Sequence, residues 1–184
     1  MGKGTEGMFI SQEDAQTIVD ELKATIQRDI NIMDEHGTIF ASTNRARIGQ
    51  LHEGARVLLD RRLPRLTIRS DGEMQGGQPG TNLPIALDGE TVGVIGITGP
   101  PEQVEVLGSV IQKMTEIMIE SIRQREQADE LDSARRLFLE SWLFADDLDL
   151  TEFETRGNLL GVDITLPRTL VLLEILPTAD GDAA

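Results

Sequence analysis

The sequence predicts an α+β fold in which a five-stranded antiparallel sheet is flanked by helices. Three observations predict it. Segments of helical and strand periodicity follow in the order helix, hairpin, helix, strand, hairpin, helix. The second hairpin carries Asp88-Gly89, a pair that favours a tight type I′ turn. The five strands of this order can join one sheet, and a long helix that begins at two prolines follows it.

The first helix is predicted to begin at Ser11, which makes a capping box with Asp14. Its apolar residues, at helical spacing, are Ala15, Ile18, Val19, Leu22 and Ile26. The next segment, INIMDEHGTIFAST, is rich in β-forming residues on both sides of DEHG. It predicts a hairpin whose turn places Gly37 in a left-handed conformation.

A second helix is predicted from about Arg47 to Arg62, and Pro64 ends it. Its apolar side would hold Ile48, Leu51, Ala55, Leu58 and Leu59. RLTIRS then predicts a short strand, DGEMQGGQPGTN a loop, and LPIALDGETVGVIGITG the second hairpin. Gly93 and Gly96 in its second strand indicate that a helix or a ligand approaches closely.

The long helix is predicted to open at Pro100 and Pro101. Its apolar stripe consists of Val104, Leu107, Val110, Ile111, Met114, Ile117, Met118 and Ile122. This stripe and that of the first helix are larger than one small sheet needs, so we expect a homodimer through the terminal helices. The order of elements is typical of sensor domains of the PAS or Cache kind.

The chain beyond the long helix predicts a further helix that stops at Gly161 and a single strand from about Arg168 to Ile175. A lone strand cannot bury itself, so we expect a second domain that is cut short. The predicted parts are a sensor domain at 1–123, a helical linker at 124–147 and the truncated start of another domain at 148–184.

Composition excludes several classes of protein. A net charge of −15 makes nucleic acid and anionic membranes poor partners for this chain. The absence of cysteine excludes a disulfide framework and thiolate catalysis, and fits a reducing cytoplasm. We find no secretion signal and no run of about 20 apolar residues, so the predicted location is the cytoplasm.

Positive charge gathers in one part of this acidic chain. The arginines concerned are Arg45, Arg47, Arg56, Arg61, Arg62, Arg65 and Arg69. At the predicted helix start, backbone N–H groups and the helix dipole attract anions, and Arg47 offers a bidentate fork to a carboxylate. His52, about one turn further on, can donate to the same group or to a hydroxyl. The alternative is a solvated arginine face with a capped or packed His52.

The stretch QPGTNLP, from Gln78 to Pro84, is the second candidate. Gly80 allows close backbone approach, while Thr81 and Asn82 offer donors and acceptors. The alternative is an ordinary junction between a loop and a strand. Because HEGAR lacks the second histidine of a zinc motif and no nucleophile with a base stands out, we expect no metal, no cofactor and no enzyme activity.

Three runs of sequence resemble one known family. INIMDEHGTIFASTNRARIGQLHEGA, PGTNLPIALDGETVGVIGITGPPEQV and KMTEIMIE, in this order and spacing, are similar to the sugar diacid recognition domain of the carbohydrate diacid regulators, which are bacterial transcription factors. The resemblance covers about Ser11 to Arg123. The tail resembles the start of that family's middle, GGDEF-like domain.

The resemblance implies a set of ligand-binding residues. From the first run these are Asn31, Ser42, Arg47, Ile48, Gly49, His52 and Glu53. From the second run they are Gly80, Asn82, Leu83 and Pro84, with Thr81 where the family usually has an aliphatic residue. Arg47 and the amides near Ile48 and Gly49 would hold a carboxylate, and His52 and Asn82 would bind hydroxyls or the same carboxylate.

The function implied is that of a regulator which senses D-glycerate, glucarate or galactarate and controls genes for their uptake and catabolism. DNA would be bound only through a C-terminal helix-turn-helix that this chain lacks. The competing hypotheses are a helical dimerisation module without a ligand and a sensor of another small carboxylate.

Overall fold

The computed structural model describes residues 10–74, 78–144, 149–169 and 171. The helices are α1 (Gln12–Ile26), α2 (Glu53–Arg61), α3 (Pro101–Phe144) and α4 (Leu150–Leu159), with a single 3₁₀ turn at Arg45–Arg47. The strands are β1 (Ile30–Met33), β2 (Ile39–Ser42), β3 (Leu66–Ile68), β4 (Gly80–Leu87) and β5 (Glu90–Thr98). The chain divides into two units, Met1–Gln127 and Ala128–Ala184, and α3 contributes to both.

The five strands form one antiparallel sheet in the order β2-β1-β5-β4-β3. This confirms the predicted α+β fold with flanking helices. The β4–β5 turn is also confirmed, because Asp88 and Gly89 both have positive φ, at 52° and 84°. Gly37 has a φ of 80°, as the first hairpin requires.

Alternation along the strands gives the sheet two different faces. One face packs against α1 and α3 through an aliphatic core that includes Ile32, Ile95 and Ile97. Burying each such side chain contributes about 1.5–3 kcal/mol to the free energy of unfolding. The opposite face carries a smaller apolar cluster, in which Met33 and Val94 meet Leu58 of α2.

Helix α1 begins as predicted. The Ser11 hydroxyl accepts a hydrogen bond of 3.1 Å from the Asp14 amide, which satisfies one of the backbone donors that a helix start leaves open. The Ser11 hydroxyl in turn donates to the Asp14 carboxylate.

The predicted start of α2 is wrong. The helix begins at Glu53 rather than near Arg47, because the preceding residues are hydrogen-bonded to the first hairpin. Gly49 N donates to Ile39 O at 2.8 Å, and His52 N donates to Gly37 O at 2.8 Å. Leu51, predicted on the apolar side of the helix, is 52% exposed. Helical spacing in the sequence is therefore overridden by pairing with β2.

The start of β4 also differs from the prediction. Residues Gly80 to Asn82, expected in a loop, pair with both neighbouring strands of the sheet. The last strand predicted, at about 168–175, falls largely outside the described residues; the described ones, 168, 169 and 171, are not in a strand. The predicted stop of α4 is confirmed, because the helix ends at Leu159 and Gly161 has a φ of 71°.

Candidate functional site

A row of polar residues crosses the α2 face of the sheet. Asn31 of β1 pairs with Ser42 of β2 on one side and with Gly96 of β5 on the other, and Gly96 pairs with Asn82 of β4. Residues in register on adjacent strands project to the same side, so these side chains share one face. The Ser42 hydroxyl donates to Asn31 Oδ1 at 2.7 Å. A glycine thus leaves a gap between two buried asparagines.

The first residues of α2 lie over this gap. His52 is the N-cap of the helix, and its Nδ1 accepts a hydrogen bond of 3.2 Å from the Ala55 amide. A side chain on Gly54 would meet both Asn82 Nδ2 and His52 Cε1 at 3.2 Å. The helix approaches the sheet this closely because Gly54 has no side chain.

A polar pocket lies between the start of α2 and the sheet. It is lined by Asn31, Arg47, His52, Gln78, Gly80, Thr81, Asn82, Gly96, Ile97 and Thr98. Its volume is about 10 Å³, which is room for one water molecule. Residues that are far apart in the sequence, from β1, the 3₁₀ turn, the α2 cap, β4 and β5, therefore meet at one place.

His52 is buried and uncharged at neutral pH. Burial, with the positive charge of Arg47 second, lowers the pKa of His52 from 6.5 to about 4. Because Nδ1 accepts from the Ala55 amide, the proton of the neutral ring sits on Nε2. His52 is consequently a hydrogen-bond donor that does not compete with an anion for the positive charge of Arg47.

The Asn82 amide is held between two glycines. A side chain on Gly96 would lie 2.8 Å from Asn82 Oδ1, and the opposite end of the amide faces Gly54. Asn82 is only 3% exposed, and its amide lies among the residues that line the pocket. Buried amides are stabilised by hydrogen bonds, so Asn82 is suited to bonding with a polar group in the pocket.

Arg47 is the one arginine of the predicted basic cluster that lines this pocket. The others lie elsewhere among the described residues. Arg45 pairs with Asp20 at 2.8 Å, and Arg65 donates to Ser109. Arg56, Arg61, Arg62 and Arg69 are exposed. The arrangement thus offers one cationic fork beside neutral donors, which suits a single carboxylate accompanied by hydroxyls.

The structure places several predicted residues outside the pocket. The side chain of Leu83 faces α3, where Gly108 approaches Leu83 Cδ1 closely, and Thr81 points the same way, so only its backbone can reach the pocket. The Ile48 and Gly49 amides already donate to Arg45 O and Ile39 O. Ser42 reaches the site only through Asn31.

Three residues at the pocket escaped the sequence reasoning in part or whole: Gly54, Gly96 and Thr98. For Gly96 the sequence predicts the close approach of a helix or a ligand, whereas the nearest atoms in the structure belong to the Asn82 and Met33 side chains. The signal for Gly54 was a glycine in the first turn of a helix, where it weakens the helix relative to alanine. Within the described ranges, no group of three or more His, Cys, Asp or Glu side chains could hold a metal ion.

Comparison with known proteins assigns the chain to a family. The profile of the family described as "Putative sugar diacid recognition" matches residues 10–142, and the chain belongs to this family. The resemblance of the three sequence runs is thereby confirmed.

Two curated relatives match over most of the chain. The protein is 34% identical over 172 residues to the Carbohydrate diacid regulator of Escherichia coli, covering 92% of this chain and 44% of that protein. It is 32% identical over 168 residues to the uncharacterised protein YsfB of Bacillus subtilis, covering 91% and 45%. The chain thus spans about half the length of these relatives.

Two GAF domains are similar in backbone. One belongs to the nutrient sensor CodY of Clostridium difficile, with a TM-score of 0.41, 9% identity, and coverage of 56% of this chain and 83% of that one. The other belongs to a phosphoenolpyruvate-protein phosphotransferase of Acinetobacter, with a TM-score of 0.41, 16% identity, and coverage of 61% and 84%. Separately, no helix among the described residues is long and apolar enough to cross a membrane.

Proposed function

We propose that this chain is the ligand-sensing part of a transcription regulator that binds a small hydroxy acid or sugar diacid, such as D-glycerate, glucarate or galactarate. The observation that carries the proposal is the pocket in which Arg47, His52 and Asn82 converge. Membership of the sugar diacid recognition family supports it, as does the name of the Escherichia coli relative. Control of genes for uptake and catabolism would belong to the longer protein.

In the proposed complex, Arg47 binds a ligand carboxylate through its guanidinium fork. The neutral His52 donates from Nε2, and the amides of Asn82 and Asn31 bond to ligand hydroxyls. The Gly49 amide holds the Arg47 turn against β2 through Ile39 O, and the Ile48 amide donates within the turn to Arg45 O. The backbone of Gly80 to Leu83 closes one side. Because the pocket has room for only one water, a ligand must widen it, by displacement of the 3₁₀ turn or the start of β4.

Strand β4 offers a physical route from the pocket to α3. Gly80 and Asn82 face the pocket, whereas Thr81 between them and Leu83 beyond them point toward α3 near Gly108. Further along, Gln112 Nε2 donates to Pro84 O at 2.6 Å. A displacement of β4 on binding would therefore change the contacts of α3, which in the longer protein would bias the domains that follow.

The test measures the binding of D-glycerate, glucarate, galactarate, citrate and malate by calorimetry and by thermal shift. We expect selective binding of glycerate or one of the aldarates. In Arg47→Ala the affinity should fall about tenfold or more, because a charged hydrogen-bonding partner is lost. Arg45→Ala, in the same turn but paired with Asp20, is the matched control and should bind like the wild type.

Each outcome separates the hypotheses. Binding of citrate or malate alone would make the protein a sensor of another carboxylate. If no acid binds and both variants unfold at the wild-type temperature, the pocket does not bind these acids and the sensor proposal is wrong. Turnover of any of these acids on long incubation would indicate an enzyme instead.

A further inference from the structure

Helix α3 carries two apolar rows, and only one of them is covered by the sheet. The covered row contains Val104, Gly108, Ile111, Thr115 and Ile119, all buried. The second row contains Leu107, Val110, Met114 and Ile117, which are 42%, 56%, 39% and 58% exposed. Four large apolar side chains in one line form the kind of patch that marks an interaction site on a protein surface.

The spacing of the exposed row is that of a coiled-coil seam. Its residues lie alternately three and four positions apart, and the series continues through Ser121 to Gln124. This is the heptad pattern in which positions a and d face a partner helix. Leu107 and Met114 then take position a, and Val110 and Ile117 take position d.

We infer that α3 pairs through this row with α3 of a second copy of the chain, parallel and in register. A row with heptad spacing is complementary to itself across a two-fold axis, because each apolar position meets its own counterpart. The inference concerns α3 alone and does not depend on the identity of the ligand. Of the two helices α1 and α3, the inference assigns the interface of the expected homodimer to α3. Every residue of α1 is described, and none of its large apolar side chains is exposed.

Charge favours the parallel arrangement. With these assignments Glu120 occupies position g and Arg125 position e of the following heptad. Side chains at g and at the next e of a partner meet in parallel dimers, so Glu120 of each copy would face Arg125 of the partner helix. Arg125 is exposed, and Glu120 is partly exposed while it pairs with Arg123 at 3.3 Å. An antiparallel pair centred on the apolar row would instead place Glu120 opposite Val104.

Measuring the oligomeric state tests whether the exposed row of α3 is a dimer interface. Light scattering of the 184-residue chain should give twice its mass of 20.2 kDa. Ile117→Glu would bring two carboxylates together in the seam, and we expect a monomer that keeps the wild-type circular dichroism. Ser109→Glu, on an exposed side of the same helix away from the row, is the matched control and should remain dimeric. A monomeric wild type, or a dimer that Ile117→Glu leaves intact, overturns the inference.

Cross-linking tests the orientation. The chain has no cysteine, so a single Ile117→Cys provides the only thiol. In a parallel, in-register pair the two thiols lie beside the two-fold axis, and mild oxidation should convert most of the protein to a covalent dimer. Ser109→Cys should stay uncrosslinked. A dimer by light scattering that does not cross-link at 117 contradicts the parallel arrangement.

Discussion

His52 combines the roles of helix cap and pocket residue, and its environment gives it one protonation state. A buried histidine that caps through Nδ1 cannot take up a second proton without losing that hydrogen bond. The lowered pKa, about 4, follows from this burial and from the charge of Arg47. At neutral pH the pocket therefore holds a neutral His52, which donates a hydrogen bond, beside the positively charged Arg47.

This predicts a pH dependence of stability. Since His52 titrates at about 4 when folded and at 6.5 when unfolded, the unfolded chain binds the extra proton between these values. The free energy of unfolding should fall as the pH drops from 6.5 to 4, by on the order of 3 kcal/mol, and this contribution should level off below pH 4.

Urea unfolding of wild type and His52→Asn across this range measures the effect. Asparagine keeps a good N-cap but does not titrate, so the stability difference between the two proteins should shift in favour of the variant as the pH falls. His36→Asn, at the exposed histidine, should follow the wild type. Parallel curves for wild type and His52→Asn would contradict the assigned protonation state.

The sequence predicts Arg47, His52, Gly80 and Asn82 as candidate site residues, and the structure brings all four to one pocket. It could not indicate that Leu83 faces α3, because the predicted strand began at Leu83 and left the alternation of Gly80 to Asn82 unassigned. Nor could it locate Gly54, since its importance arises only when α2 docks on Asn82. Contacts between distant segments decide these points, and local patterns do not contain them.

At the scale of elements, capping and turn residues were reliable predictors, as Ser11, Gly37 and Asp88-Gly89 demonstrate. The apolar spacing that predicted the start of α2 was not a reliable predictor. Apolar spacing from Ile48 onward fits a helix, but hydrogen bonds from the Gly49–His52 segment to the first hairpin compete with it. Because the helix starts later than predicted, His52 is its N-cap and its first turn lies next to Asn82.

Strand β4 depends on a glycine where it enters the sheet. An added Cβ on Gly80 would lie 2.3 Å from the Ile97 carbonyl oxygen, a backbone atom that cannot move without shifting β5. Gly80→Ala should therefore lower the free energy of unfolding by about 3 kcal/mol, as overpacking does.

Urea unfolding with Gly72→Ala as the control checks this prediction. Gly72 has a φ of 80° and nothing within 4 Å of the added Cβ, so its substitution should cost only the left-handed penalty of about 1 kcal/mol. Equal losses in the two variants would mean that the β4–β5 contact is not tight. Because Asn82 follows two residues later, Gly80→Ala should also weaken binding of any ligand identified for the pocket.

For the whole molecule, net charge is the dominant electrostatic fact. With −15 on 184 residues, the folded chain repels itself, and compaction brings these charges closer than they are in the unfolded state. The few exposed ion pairs, such as Lys23 with Asp29 at 2.7 Å, offset little of this repulsion. The arginines between positions 45 and 69 oppose the negative charge locally, and Arg47 is the one among them that lines the pocket.

Thermal stability should consequently rise with salt, and the rise should be concentrated at low ionic strength. The screening length falls from about 30 Å at 0.01 M to about 8 Å at 0.15 M, so most of the self-repulsion is removed within that interval. Melting followed by circular dichroism in sodium chloride should show a steep increase there and a plateau beyond. Glu126→Lys with Asp129→Lys, two exposed positions of α3 outside the apolar row, moves the net charge toward zero and should reduce the increase. A melting temperature that is flat below 0.15 M, or one that falls, would show that specific ion pairs outweigh the net repulsion, since screening weakens the pairs as it relieves the repulsion.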